Sequence, residues 1–118
     1  MHEAAPAIAH LELRTHDAAR AEAFLRELFG WRSETIRLAG QAYVALAVGG
    51  RIDGGIAEAA RPPSWLPYVE VTDIDALVDR ARSLGAGVAL PVREGPAGWR
   101  CVLVTEATGE VALWQPKR

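Results

Sequence analysis

The chain has 118 residues, half of them hydrophobic and 24% charged, with 13 basic against 15 acidic side chains and a formal net charge of −2. That length and balance suit one folded domain with an ordinary apolar core and exclude a disordered chain. The arginines are scattered (Arg14, Arg20, Arg26, Arg32, Arg37), so the basic stripe that phosphate backbones require is missing, and nucleic acid is excluded as the main partner.

The single cysteine, Cys101, forbids an intramolecular disulfide, and its neighbours Val102, Leu103 and Val104 mark it as a buried strand thiol rather than a nucleophile. No apolar run approaches the roughly 20 residues that cross a bilayer. The opening Met1-His2-Glu3-Ala4-Ala5-Pro6 carries neither a basic region nor an apolar signal core. These features predict a cytoplasmic protein with no membrane partner.

In chain order, Ile8 to Thr15 alternates with period two and predicts a strand. Leu11, Leu13 and Thr15 share one side, and His10, Glu12 and Arg14 the other. Asp17 is a predicted N-cap for a helix over Ala18 to Phe29, with Ala21, Phe24, Leu25 and Leu28 on its apolar face and Gly30 as its left-handed stop. Three short strands follow: Trp31 to Leu38, then Gln41 to Val48 beyond an Ala39-Gly40 break, then Arg51 to Ala57 beyond a Gly49-Gly50 hairpin signal. Residues 59 to 64, Ala-Ala-Arg-Pro-Pro-Ser, read as a linker.

The pattern then restarts. Leu66 to Thr72 alternates, Asp73 caps a helix over Ile74 to Leu84 with Leu77, Val78, Ala81 and Leu84 inward, and Gly85 ends it. Gly87 to Arg93, Trp99 to Thr105 and Glu110 to Gln115 are three further strands, with Ala107-Thr108-Gly109 as the last turn. Both halves run strand, helix, strand, strand, strand. Laying Asp17 over Asp73 puts His10 over Leu66, Glu12 over Tyr68 and Arg14 over Glu70. A duplicated module is the most informative feature of the sequence. It predicts an α+β fold of two tandem βαβββ modules, about 7–58 and 65–116 within one domain of 118 residues, forming a cup-shaped, half-open barrel with helices outside.

If the aliphatic sets pack on the helices, the other sets line the concavity. His10, Glu12, Arg14, Leu66, Tyr68 and Glu70 then face inward, joined by Ala112 and Trp114 from the last strand, with Tyr43, Trp65 and Trp99 as rim or wall residues. Such a surface suits a planar or polar organic ligand. Arg14, Tyr43, Trp65, Leu66, Tyr68, Trp99, Ala112 and Trp114 are the candidate ligand-binding residues. His10, which titrates near neutrality, and Glu12 or Glu70, whose carboxyl burial would make less acidic, are candidate acid–base groups. Ion pairing of Glu12 with Arg14 or Arg100, without any function, is the alternative.

At this point the chain resembles the vicinal oxygen chelate superfamily, which includes glyoxalase I, bleomycin-resistance proteins, fosfomycin-resistance enzymes and extradiol dioxygenases. The marks are the opening run from His10 to Asp17 (HLELRTHD), the helix end Leu28-Phe29-Gly30-Trp31, and Asp53-Gly54-Gly55-Ile56. They continue in the restart from Trp65 to Asp75 and in the close from Gly109 to Pro116. The resemblance runs from Ile8 to Pro116. It implies paired βαβββ modules and a homodimer. In metal-dependent members it implies ligands (His, Gln or Glu) from the first and last strands of the modules. His10 stands at the first such position. Leu66 and Ala112 stand at two others, and the fourth falls on Gly54 or Gly55.

A catalytic divalent metal needs about three protein ligands, and this pattern supplies one. Three functions remain in play. The first is a protein that binds a small organic molecule without a cofactor or catalytic metal. The second is a metal-free isomerase, cyclase or hydrolase of a specialised metabolite, using His10 with Glu12 or Glu70. The third is a divalent-metal lyase or dioxygenase with unusual ligands.

Overall fold

The computed structural model describes residues 5–38 and 41–117, so the predicted Ala39-Gly40 break lies outside the described residues. The elements are β1 (Ile8–Thr15), α1 (Ala18–Phe29), β2 (Ser33–Leu38), β3 (Gln41–Leu46), β4 (Asp53–Glu58), β5 (Ser64–Glu70), α2 (Ile74–Ser83), β6 (Gly87–Glu94), β7 (Gly98–Thr105) and β8 (Gly109–Pro116). The chain divides into two compact units, Ala9–Leu66 and the residues from Pro67 onward together with the stretch ending at Ile8. No helix among the described residues is long and apolar enough to cross a membrane.

The two modules repeat each other in detail. In the first, the strands lie in the order β2-β3-β4-β1, and in the second β6-β7-β8-β5. In each, the first strand runs parallel to the last, which pairs antiparallel with its predecessor. The helix starts repeat as well. Asp17 accepts from the N–H of Arg20 and Asp73 from that of Ala76, both at 3.1 Å. The end of each last strand supplies a second acceptor: Glu58 takes the N–H of Ala18 at 3.0 Å, and Gln115 that of Ile74 at 2.8 Å. Helix starts carry four N–H groups without intrahelical partners, so each module satisfies two of them from the same structural places.

In the first unit Leu13, Leu25, Leu46 and Ile56 form the buried core, with Ala18, Ala21, Trp31, Val44 and Val48 against it. In the second, Val71, Ile74, Val78, Cys101 and Leu113 do so, with Val69, Leu77, Val88, Val92, Trp99 and Leu103. Each core lies between a helix and one face of its sheet, which leaves the opposite face of each sheet free of helix.

Several boundaries differ from the sequence reading. β2 begins at Ser33 rather than Trp31, whose side chain packs on the core instead. Gly49 and Gly50 do adopt left-handed φ values of 87° and 67°, but β3 ends at Leu46 and β4 starts at Asp53, so they sit inside a longer loop. β5 begins at Ser64, at the end of the expected linker.

Two apolar expectations are corrected. Phe24 and Leu28 are 61% and 59% exposed, and Leu25 is the buried residue of α1. A helix turns about 100° per residue, so Phe24 stands over a quarter-turn from Leu25. Leu84, expected inward, is 71% exposed because α2 stops at Ser83 and Leu84 is its C-cap, outside the helical stripe.

Candidate functional site

In a parallel ladder, residues at one register share a face, and alternate residues face opposite ways. The β1–β4 register sets His10 beside Asp53, Glu12 beside Gly55 and Arg14 beside Ala57. Leu13 and Ile56, also a register pair, belong to the helix-side core. His10, Glu12, Arg14, Asp53 and Gly55 therefore occupy the helix-free face of the first module. On β3, Val44 is a core neighbour, so Tyr43 and Ala45 point to that same helix-free face.

There the Tyr43 hydroxyl lies 2.9 Å from Nε2 of His10, and the two rings stack with an interplanar angle of 26°. Gly55 makes the room. A Cβ on Gly55 would collide with the Tyr43 hydroxyl, then with the Cζ and Cε1 of its ring. Gly54 is the helix-side glycine, against Leu46 and Val48. The place left open between Gly54 and Gly55 thus belongs to Gly55.

Burial pushes the pKa of His10 below its ordinary value, and the negative charges of Glu12 and Asp53 counter part of that shift. The net direction favours the neutral imidazole, which accepts a proton. Glu12 is buried, at 8% exposed, and Arg14 is half-buried.

In the second module Tyr68 pairs with Ala112 and Glu70 with Trp114, and Arg100 lies opposite Trp114. Val69 and Leu113, the intervening pair, belong to the helix-side core. Tyr68, Glu70, Arg100, Ala112 and Trp114 thus share the helix-free face. Arg100 donates from a terminal guanidinium nitrogen to the Tyr68 hydroxyl at 3.1 Å. Glu70 is exposed.

Two expected ligand contacts are not on this face. Trp99 packs on the helix-side core, with the Lys117 ammonium 5.5 Å above its ring. Trp65 is 44% exposed, and alternation along β5 sets it opposite to Leu66 and Tyr68. Asp53 and Arg100 are the facing charges that the sequence reading left out of its candidates. The signal for Asp53 was its strand register beside His10. For Arg100 it was its alternation with the buried Cys101.

The four positions that carry metal ligands in metal-dependent members can now be tested. His10 has its Nε2 engaged by Tyr43, Leu66 and Ala112 are buried at 1% and 0% exposure without a donor atom, and Gly55 has no side chain. Among the described residues, no three His, Cys, Asp or Glu side chains converge as a metal ion requires. A divalent metal does not fit these positions.

Paired βαβββ modules with parallel first and last strands define an α+β protein of the glyoxalase-like class. Solved structures share this fold. Methylmalonyl-CoA epimerase from Mycobacterium tuberculosis matches with a TM-score of 0.66 at 19% identity over 94% of this chain and 88% of that one. The Streptomyces coelicolor epimerase in complex with 2-nitronate-propionyl-CoA matches at 0.69 and 18% identity, over 94% and 97%. A hypothetical protein from Bacillus halodurans reaches 0.73 at 10% identity, over 98% and 97%. By sequence, CFP32, a proposed glyoxylase of Mycobacterium bovis and Mycobacterium tuberculosis, is 33% identical over 92% of this chain. The chain spans 45% of the length of these curated relatives. No family model matches it. The fold is thus the glyoxalase-like one, and the sequence likeness is to proteins named as glyoxylases.

Proposed function

We propose that this chain binds a small organic molecule on the helix-free faces of its modules and does so without a catalytic divalent metal. The observation that carries this reading is that Leu66, Ala112 and Gly55 offer no donor beside His10, whose Nε2 is hydrogen-bonded to Tyr43. Aromatic and charged side chains on those faces supply apolar surface and a few oriented polar groups, the combination that small-molecule sites use. Acyl and 2-oxo compounds are the first ligands to try. Structural neighbours are solved with 2-nitronate-propionyl-CoA and with methylmalonyl-CoA, and the sequence relatives are named as glyoxylases.

A second reading, an acid–base enzyme acting beside a carbonyl, draws on the lowered pKa of His10 and on the Glu12 carboxylate beside it. In that reading neutral His10 takes the proton and Tyr43 holds the imidazole in place. A cytoplasmic location and a homodimer complete the proposal.

The test is elemental analysis of the purified protein after exposure to Zn²⁺, Ni²⁺, Mn²⁺ and Fe²⁺ and desalting. No retained metal is expected. Stoichiometric metal that disappears in His10→Ala would overturn the metal-free reading. A thermal-shift screen of acyl and 2-oxo compounds then separates binding, which His10→Ala leaves largely intact, from turnover, which it abolishes.

A further inference from the structure

The second module carries a row of side chains that crosses all four of its strands. Arg93 on β6 lies directly opposite Arg100 on β7, Arg100 opposite Trp114 on β8, and Trp114 beside Glu70 on β5. Trp114 and Arg100 belong to the helix-free face, and the antiparallel register puts Arg93 there too. Two like charges directly opposite each other on neighbouring strands repel. Both arginines are exposed, and no carboxylate stands at ion-pair distance from either among the described residues. Arg100 is nonetheless held in position by its hydrogen bond to the buried Tyr68.

A repelling, oriented arginine pair needs an anion to become favourable. Two guanidinium groups rooted at neighbouring positions of adjacent strands can both turn N–H donors to one carboxylate or phosphate, whose oxygens they match. The next member of the row is an indole. Gly98 lets it lie close to the strand, since a Cβ there would meet Trp114 Cη2 and the backbone of Gln115 and Pro116. Strands lie about 4.8 Å apart, so an anionic group held between Arg93 and Arg100 leaves a planar body over Trp114 and its far end near Glu70, about 10 Å from Arg100.

We propose that Arg93 and Arg100 form an anion-binding pair and that the ligand of this face is a carboxylate- or phosphate-bearing molecule with a planar or apolar body seated on Trp114. This deepens the proposed function and rests on its reading that the helix-free face binds a small molecule. Glu70, at the other end of the row, favours a hydroxyl or amine on the distal part of the ligand.

The experiment uses the whole chain, thermal shift and isothermal titration, with benzoate, phenyl phosphate and inorganic phosphate as anionic probes and benzyl alcohol as the neutral counterpart. Benzoate or phenyl phosphate is expected to raise Tm where benzyl alcohol does not. Arg93→Gln and Arg100→Gln are each expected to weaken the anions by about tenfold or more, the loss of a charge-assisted contact. Trp114→Leu should weaken benzoate and phenyl phosphate more than inorganic phosphate. The order of benzoate and phenyl phosphate tells carboxylate from phosphate.

Without ligand and at low salt, Arg93→Gln should melt at or above the wild-type temperature, because it removes a repulsion. A structural arginine would instead melt lower when replaced, and that result overturns the proposal. So does anion binding that ignores both arginine substitutions, or an absence of anion binding at millimolar concentration. Neutral ligands that bind and do not respond to Arg93→Gln or Arg100→Gln would retain the proposed function and remove this inference. If no organic probe binds, neutral or anionic, both fall.

Discussion

Gly55 has no side chain because Tyr43 is there: the phenol crosses β4 where a Cβ would stand, and its hydroxyl ends on Nε2 of His10. The two glycines of the Asp53-Gly54-Gly55-Ile56 run therefore have different reasons. Gly54 accommodates Leu46 and Val48 on the helix side, and Gly55 accommodates Tyr43 on the helix-free side. Gly55→Ala is expected to cost about 1–3 kcal/mol, the usual penalty of overpacking. It should also displace the Tyr43 ring from His10. Urea denaturation measures the first, and the NMR shifts of the His10 imidazole report the second. Gly54→Ala is the control: it also crowds its neighbours, but it should leave the His10 resonances near their wild-type positions. Equal His10 perturbation by both substitutions would show that Gly55 has no special relation to Tyr43.

His10 predicts a pH dependence of defined sign. Burial lowers its folded-state pKa below the ordinary 6.5, against the opposing pull of Glu12 and Asp53. The folded state thus binds the imidazole proton less readily than the unfolded chain. Above the unfolded value His10 contributes nothing to the pH dependence. As pH falls from about 6.5 through the folded-state pKa, stability is lost, and below that pKa the loss is complete. Denaturation midpoints across this window should fall with pH in the wild type and fall less in His10→Gln. The imidazole Cε1–H resonance should titrate with a midpoint under 6.5. A midpoint above 6.5 would mean that the two carboxylates outweigh burial, and the slope would then take the opposite sign.

The paired modules were legible because their signals are local. Asp17 and Asp73, Gly30 and Gly85, and the period-two first strands each act within a few residues, and the structure repeats even the capping acceptors Glu58 and Gln115. What was not legible depends on pairing between distant segments. The choice between Gly54 and Gly55 needed the β1–β4 register. The Arg93–Arg100 juxtaposition was hidden because β6 carries register shifts between Val88 and Leu90 and again between Leu90 and Arg93, so counting along the strand does not yield its partners. Trp99 is a different case. Its alternation with Cys101 and Leu103 puts it on the helix side, and an aromatic preference for ligand sites concealed a period that the sequence itself contains.

The Cys101 thiol offers a check on the second core. The residue is fully buried, and burial raises its pKa further than the Leu113 backbone hydrogen bond lowers it, with the nearby charge of Asp75 adding to the rise. The thiolate is the reactive form, so the native protein should react with a disulfide reagent only at the rate at which it opens. Addition of denaturant should release one thiol per chain. Rapid stoichiometric labelling under native conditions would contradict the burial of Cys101 among Val71, Ile74, Val78 and Leu113.

The face of α1 supplies the last prediction, because its apolar residues divide by burial rather than by type. Leu25 is 8% exposed within the core of Leu13, Leu46 and Ile56. Leu25→Ala should cost about 2–5 kcal/mol, the transfer term plus the cavity left behind. Phe24 is the larger side chain, yet most of it already meets water. Phe24→Ala therefore removes little buried surface, and its cost should stay within about 0.5 kcal/mol. Denaturant midpoints with unchanged m-values measure both. A Phe24→Ala loss near that of Leu25→Ala would require the exposed stripe to be covered in solution. In that event the loss should shrink as the protein is diluted, since a cover provided by a second copy depends on concentration.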